Sequence, residues 1–162
     1  MNFRLIDRRL LRVACSLIAL SVTFGCVKFT PRYDDTLDKS VTSFQQSVET
    51  YLTKLEGLQS PDCTYDKNKH FYDQARVQLA TMKTRIAASP HPGQLTTIVG
   101  SLSNTLDDLQ ELQQTQQTKP NPCLNSAAIE DSRQAFEREF ESMLAYELAL
   151  KANQPPTAPT KQ

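Results

Sequence analysis

From Leu37 onward, apolar residues recur along the chain at alternating steps of three and four. The stripe Leu37, Val41, Phe44, Val48, Tyr51, Leu55, Leu58 runs 4-3-4-3-4-3 without a break, which puts all seven side chains on one helix face suited to packing along a seam. Gly57, Ser60 and Pro61 end this helix. A second helix is expected to begin at Tyr65 or Asp66, with Tyr72, Ala75, Leu79, Met82 and Ile86 on its apolar face. Residues 89–93 (SPHPG) break it, because each proline disfavours helix at the residue before it. A third helix carries Leu95, Ile98, Val99, Leu102, Leu106, Leu109 and Leu112, then gives way to the polar, proline-terminated QQTQQTKPNP. The fourth starts near Asn125 or Ser126, both good N-cap residues, and presents Ile129, Phe136, Phe140, Met143, Leu144 and Leu148.

Four helices with short connections predict an all-α fold, an up-down-up-down four-helix bundle over residues 34–152. Residues 26–33 read as a tether containing Pro31. Residues 153–162 hold three prolines and no large apolar side chain, the composition of a disordered tail.

Ahead of the bundle the pattern changes. Arg4, Arg8, Arg9 and Arg12 make a basic start, offset only by Asp7, and residues 13–24 (VACSLIALSVTF) follow as an apolar run. These are the two parts of a secretory signal. Twelve helical residues span about 18 Å, short of the ~30 Å hydrocarbon core, so a removed export signal is favoured over a permanent membrane-spanning helix.

The stretch Thr23-Phe24-Gly25-Cys26 resembles the lipobox of bacterial lipoproteins. Gly25 and Cys26 carry the likeness, whereas Thr23 and Phe24 stand where that family favours Leu and a small residue. The resemblance covers the first 26 residues and implies an address, not an activity. It implies that residues 1–25 are a signal peptide, that Cys26 carries the lipid, and that the mature chain is held at a membrane of the cell envelope. In two-membrane bacteria an Asp after the lipidated cysteine marks inner-membrane retention, so Val27 implies the outer membrane, facing the periplasm. An ordinary secreted protein with a free Cys26 is the alternative. Each buried methylene contributes about 0.8 kcal/mol and a single myristoyl-length chain binds only reversibly, so the two or three chains of a lipoprotein give lasting attachment.

Four cysteines are present. Cys15 leaves with the signal and, on the resemblance, Cys26 takes the lipid. Cys63 and Cys123 remain as an even pair in an oxidising compartment, which predicts a structural disulfide. Neither has a second ligand at metal spacing, and no Cys-x-x-Cys is present. The predicted topology agrees: Cys63 lies between helices one and two, Cys123 between three and four, and an up-down bundle brings those loops to the same end.

Of the 18 basic and 18 acidic residues the signal takes four Arg and one Asp, leaving the remaining 137 residues with 14 and 17, a net charge near −3. That balance gives no footing for nucleic acid. His70, with Asp66 and Asp73 at helical spacing, is a weak metal constellation read as a solvated histidine; His91 belongs to the proline-flanked loop at the opposite end. The chain has no Glu-x-x-His, no Cys-x-x-Cys-His, no Gly-rich phosphate loop and no Gly-x-Ser-x-Gly, so neither cofactor, metal nor catalysis is expected. Glu137, Glu139 and Glu141 with Arg133 and Arg138 read as a solvated face, and the run Gln110, Gln113, Gln114, Gln116, Gln117 as a fraying helix end.

Tyr65, Phe71 and Tyr72 cluster at the start of helix two. Tyr72 fits the seam; Tyr65 and Phe71 are the candidate contacts for a protein partner, against the plainer reading that Phe71 widens the apolar face. The leading expectation is a non-catalytic interaction or structural module. The alternative is a bundle binding a small apolar ligand, with Ala75, Ala127 and Ala128 either leaving the room or only permitting close helix approach; a hydrolase is a third reading without a nucleophile or metal site to carry it.

Overall fold

The computed structural model describes residues 34–89 and 92–152. The expected signal peptide (1–25), Cys26, the expected tether, His91 and residues 153–162, expected to be a tail, lie outside the described residues. Within them the chain forms four α-helices: α1 (Asp35–Gly57), α2 (Tyr65–Ala87), α3 (Gly93–Gln117) and α4 (Ser126–Lys151). Around the bundle α1 packs on α2, α2 on α3, α3 on α4 and α4 on α1, while the diagonal pairs make no close approach. This is the all-α, up-down-up-down four-helix bundle of the sequence, with one disulfide between loops.

Local chemistry sets the helix ends. Asp34 caps α1, its Oδ1 accepting from the backbone N–H groups of Thr36 and Leu37 at 2.9 and 3.3 Å, while Oδ2 holds Arg85 of α2 at 3.3 Å. Those hydrogen bonds and the arginine outweigh the opposing effect of burial and keep the Asp34 carboxyl below the usual carboxylate range. Asn125 caps α4 by accepting from Ala128 N–H at 2.8 Å. Thr64 makes no side-chain cap on α2; Asn68 instead pins the preceding loop, donating to the carbonyls of Asp62 and Thr64 at 2.6 and 2.9 Å.

The core follows the 3–4 alternation with few departures. Leu37, Val41, Phe44, Val48, Tyr51 and Leu55 of α1 are buried, joined by Leu52, and all five predicted residues of α2 are buried as well. Midway along, Phe44 meets Phe136 and Phe140 edge to face at 6.5 and 5.7 Å between ring centroids, a contact of α1 with α4 that truncation to Ala would lose at about 3–5 kcal/mol.

Two expected core residues turn outward. Leu112 is 38% exposed and Leu148 63% exposed, while Gln113 and Glu147 are buried in their place. The α3 seam continues 95-99-102-106-109-113 and the α4 seam 129-133-136-140-143-147-150, so in both helices the period, and not the residue type, decides what points inward. Nor does α3 fray over its glutamines: the helix is regular through Gln117.

Candidate functional site

The two ends of the bundle differ in chemistry. At one end the loops before α2 and before α4 are joined by the Cys63–Cys123 disulfide, with 5.3 Å between Cα atoms and 60 residues between the cysteines. In the chain-entropy description, closing a loop of this length stabilises the fold by about 4 kcal/mol. Cys63 is buried, and its carbonyl accepts from Gln113 Nε2 at 2.8 Å. The amide oxygen of the same Gln113 accepts from two tyrosine hydroxyls, Tyr51 at 2.8 Å and Tyr72 at 2.6 Å. One fully buried side chain therefore ties α1, α2 and α3 to the disulfide loop, with donors and acceptors matched. Burial pushes the Tyr51 hydroxyl up to about 12, and burial with the neighbouring Tyr51 pushes Tyr72 higher still, so both phenols remain neutral donors.

The neighbouring glutamines extend this network. Gln117 accepts from Asp66 N–H at 3.2 Å and Gln116 donates to the Asn121 carbonyl at 2.6 Å, which fastens the end of α3 to the start of α2 and to the loop before α4. The expectation of a fraying glutamine run is thus corrected: the helix continues through it, and Gln113, Gln116 and Gln117 replace missing apolar contacts with directed hydrogen bonds.

Tyr65 and Phe71 lie at this stapled end, where the sequence put them, and both are partly buried. Phe71 stacks on Tyr51 with centroids 3.7 Å apart and meets Tyr72 edge to face at 5.2 Å; Tyr65 lies 5.5 Å from Tyr72. Together the four rings leave a partly exposed aromatic edge beside the disulfide. The groove next to it, between α1 and α2, is lined by Ser43, Ser47, Thr50, Lys54, Phe71 and Gln74.

At the other, unstapled end the start of α1 and the ends of α2 and α4 converge. Lys151 of α4 lies 3.9 Å from Asp38 of α1. Beneath them Glu147 is 3% exposed, and neither carboxylate oxygen has a hydrogen-bond partner. Burial first, then the like charges of Asp38 and Asp34, push its carboxyl up to about 7, against the pull of Lys151.

Arg133 is a third polar residue on a seam. Its guanidinium is mostly covered and reaches Glu49 and Glu56 of α1 and Glu130 of α4, the Glu56 contact at 2.6 Å. The arginine is therefore a cross-helix clamp, which corrects the reading of this region as a plain solvated face; Glu137, Arg138 and Glu141 do face solvent.

His70 is exposed, and no group of three or more metal-ligating side chains assembles among the described residues. No described helix is long and apolar enough to cross a membrane. Of the alanines proposed to leave room for a ligand, Ala75 is in the core, but Ala127 is exposed and Ala128 only partly buried, because both sit in the first turn of α4 beyond the packed layers. The class that fold and site define is a disulfide-stapled four-helix bundle with polar residues set into its seams. Comparison with protein-family models, curated proteins and solved structures finds no match to this chain.

Proposed function

We propose that the chain is an exported envelope lipoprotein, anchored through lipid on Cys26 at the outer membrane, that serves on its periplasmic side as a non-catalytic interaction or structural module. The observation that carries this reading is the order of segments: a basic start and an apolar run, then Gly25-Cys26, then a bundle capped eight residues later at Asp34. Eight residues reach at most about 28 Å when fully extended, so the linkage keeps the bundle close to the bilayer. A body stiffened by a disulfide and by buried hydrogen bonds suits a holding role, because a partner docking on its stapled end meets groups that are already ordered. Tyr65 and Phe71 are the residues on which such a protein partner would rest.

Intact-mass analysis of the mature chain extracted from membranes tests the address. The expected product starts at Cys26 and carries two or three acyl chains, and Cys26→Ser abolishes membrane retention. An unmodified Cys26 overturns the reading. The partner role is tested by photocrosslinking in intact cells from position 65 or 71, with position 77 on the outer face of α2 as the comparison. A discrete adduct specific to the aromatic edge is expected, and equal labelling from all three positions counts against it.

A further inference from the structure

Glu147 stands on the α4 seam between Met143 and Leu150, both buried apolar residues. Its carboxylate has lost water and gained no donor. The groups around it do not compensate. From α1 come Asp34 and Asp38; from α4 come Tyr146 and Lys151; from α2 comes Arg85, whose guanidinium is placed on Asp34. Residues 93–106 at the start of α3 contain no ionisable side chain. An ionised carboxylate is thus desolvated and faces two like charges, whereas a neutral one escapes the repulsion and most of the desolvation cost.

The surrounding structure permits a local response. The disulfide and the Gln113 network hold the opposite end, and the terminal turns of α4 are seated here by Tyr146, Leu150 and the Lys151–Asp38 ion pair, since Leu148 points to solvent. Opening these turns would hydrate the carboxylate at the loss of few apolar contacts, as expected for a low-stability end of a helix.

We propose that Glu147 is a protonation latch: with its carboxyl neutral the last turns of α4 stay seated against the bundle, and on ionisation they swing away from Asp34 and Asp38, carry the carboxylate to water and uncover Tyr146 and Leu150. The direction follows from a carboxyl that ionises near 7 when seated and at its ordinary 4.5 when released, so acid closes the latch and neutral-to-alkaline solution loosens it.

Hydrogen exchange of the full chain in detergent micelles, read by mass spectrometry and corrected for intrinsic exchange rates, tests this. Between pH 5 and pH 8 the corrected exchange of residues 144–151 should rise on the order of 50-fold, the ratio set by the two ionisation points, while residues 109–117 at the stapled end stay unchanged. Glu147→Gln should remove the response and leave the segment protected at both pH values. Asp38→Asn, which deletes one like charge but leaves Glu147 in place, should move the midpoint to lower pH. Equal protection at pH 5 and 8 in the parent chain overturns the proposal, as does a response that survives in Glu147→Gln or a midpoint that Asp38→Asn leaves in place.

Discussion

Each end of the bundle buries a polar side chain at a seam position that continues an apolar stripe, and the two are treated in opposite ways. Gln113 at the stapled end has three of its four hydrogen-bonding positions used, by Tyr51, Tyr72 and the Cys63 carbonyl. Glu147 at the unstapled end has none of its capacity used and two acidic neighbours. Burial is nearly the same for both, 0% against 3% exposure, so burial alone does not decide the energetic sign. Partners decide it: a satisfied buried amide fixes helix register at little net cost, whereas an orphaned carboxylate is a standing penalty that protonation can lift.

The comparison is broken most forcefully at the stapled end. Replacing Cys63 and Cys123 together by Ser should lower unfolding free energy by about 4 kcal/mol, because the 60-residue closure no longer restrains the unfolded chain. Urea denaturation of parent and variant measures it. Gln113→Leu comes next. The two hydroxyls lie 3.3 Å apart and one can donate to the other, which leaves one hydroxyl proton and the Cys63 carbonyl without partners, a loss of about 3 kcal/mol despite the more apolar side chain. A neutral or stabilising Gln113→Leu would show that the network does not set the register of α3.

Much of this architecture is legible in the sequence, and the shortfall has one physical origin. The 3–4 alternation of α1 is apolar at every step and yields its core almost residue for residue. In α3 and α4 the period was equally clear, but at 113 and 147 a polar residue occupies the inward step with a leucine beside it. Assigning the face by residue type selects Leu112 and Leu148; assigning it by period selects Gln113 and Glu147, as found. A strict continuation of the spacing would have found both polar residues, and Arg133 as well. Their partners were beyond reach, because hydrogen bonds spanning 41 to 62 residues depend on packing that no local pattern carries. The disulfide was legible for the contrary reason: cysteine pairing and loop parity constrain long-range structure directly.

Glu147→Gln sharpens the comparison from the other side. Below pH 4.5 folded and unfolded chains both hold the proton, and the group contributes nothing to the pH dependence. Between 4.5 and about 7 the unfolded chain releases it first, so this site lowers stability as pH rises; above 7 the loss is complete. Its ceiling is about 3 kcal/mol, and local opening keeps the realised value lower. The variant should therefore be more stable than the parent by about 2 kcal/mol at pH 8 and indistinguishable from it at pH 4, as read from denaturation midpoints at the two pH values. A substitution that destabilises at pH 8 would mean that the carboxylate has a partner when ionised.

Arg133 offers the smallest effect and the finest test of the rule. It too is a polar residue on a seam, but its charge is carried outward to Glu49, Glu56 and Glu130, whose side chains remain 35%, 43% and 51% exposed. Removing the arginine leaves those carboxylates hydrated instead of buried and orphaned, and a leucine in its place returns apolar surface to the seam. Arg133→Leu should thus cost only about 1 kcal/mol at low ionic strength, with the difference shrinking as salt screens the pairs. Melting curves in dilute buffer and in high salt measure both. A loss exceeding that of Gln113→Leu, or one indifferent to salt, would place Arg133 with the buried network. A small, salt-sensitive loss would show that solvent access to the partners left behind, and not the seam position itself, sets what a polar residue is worth in this bundle.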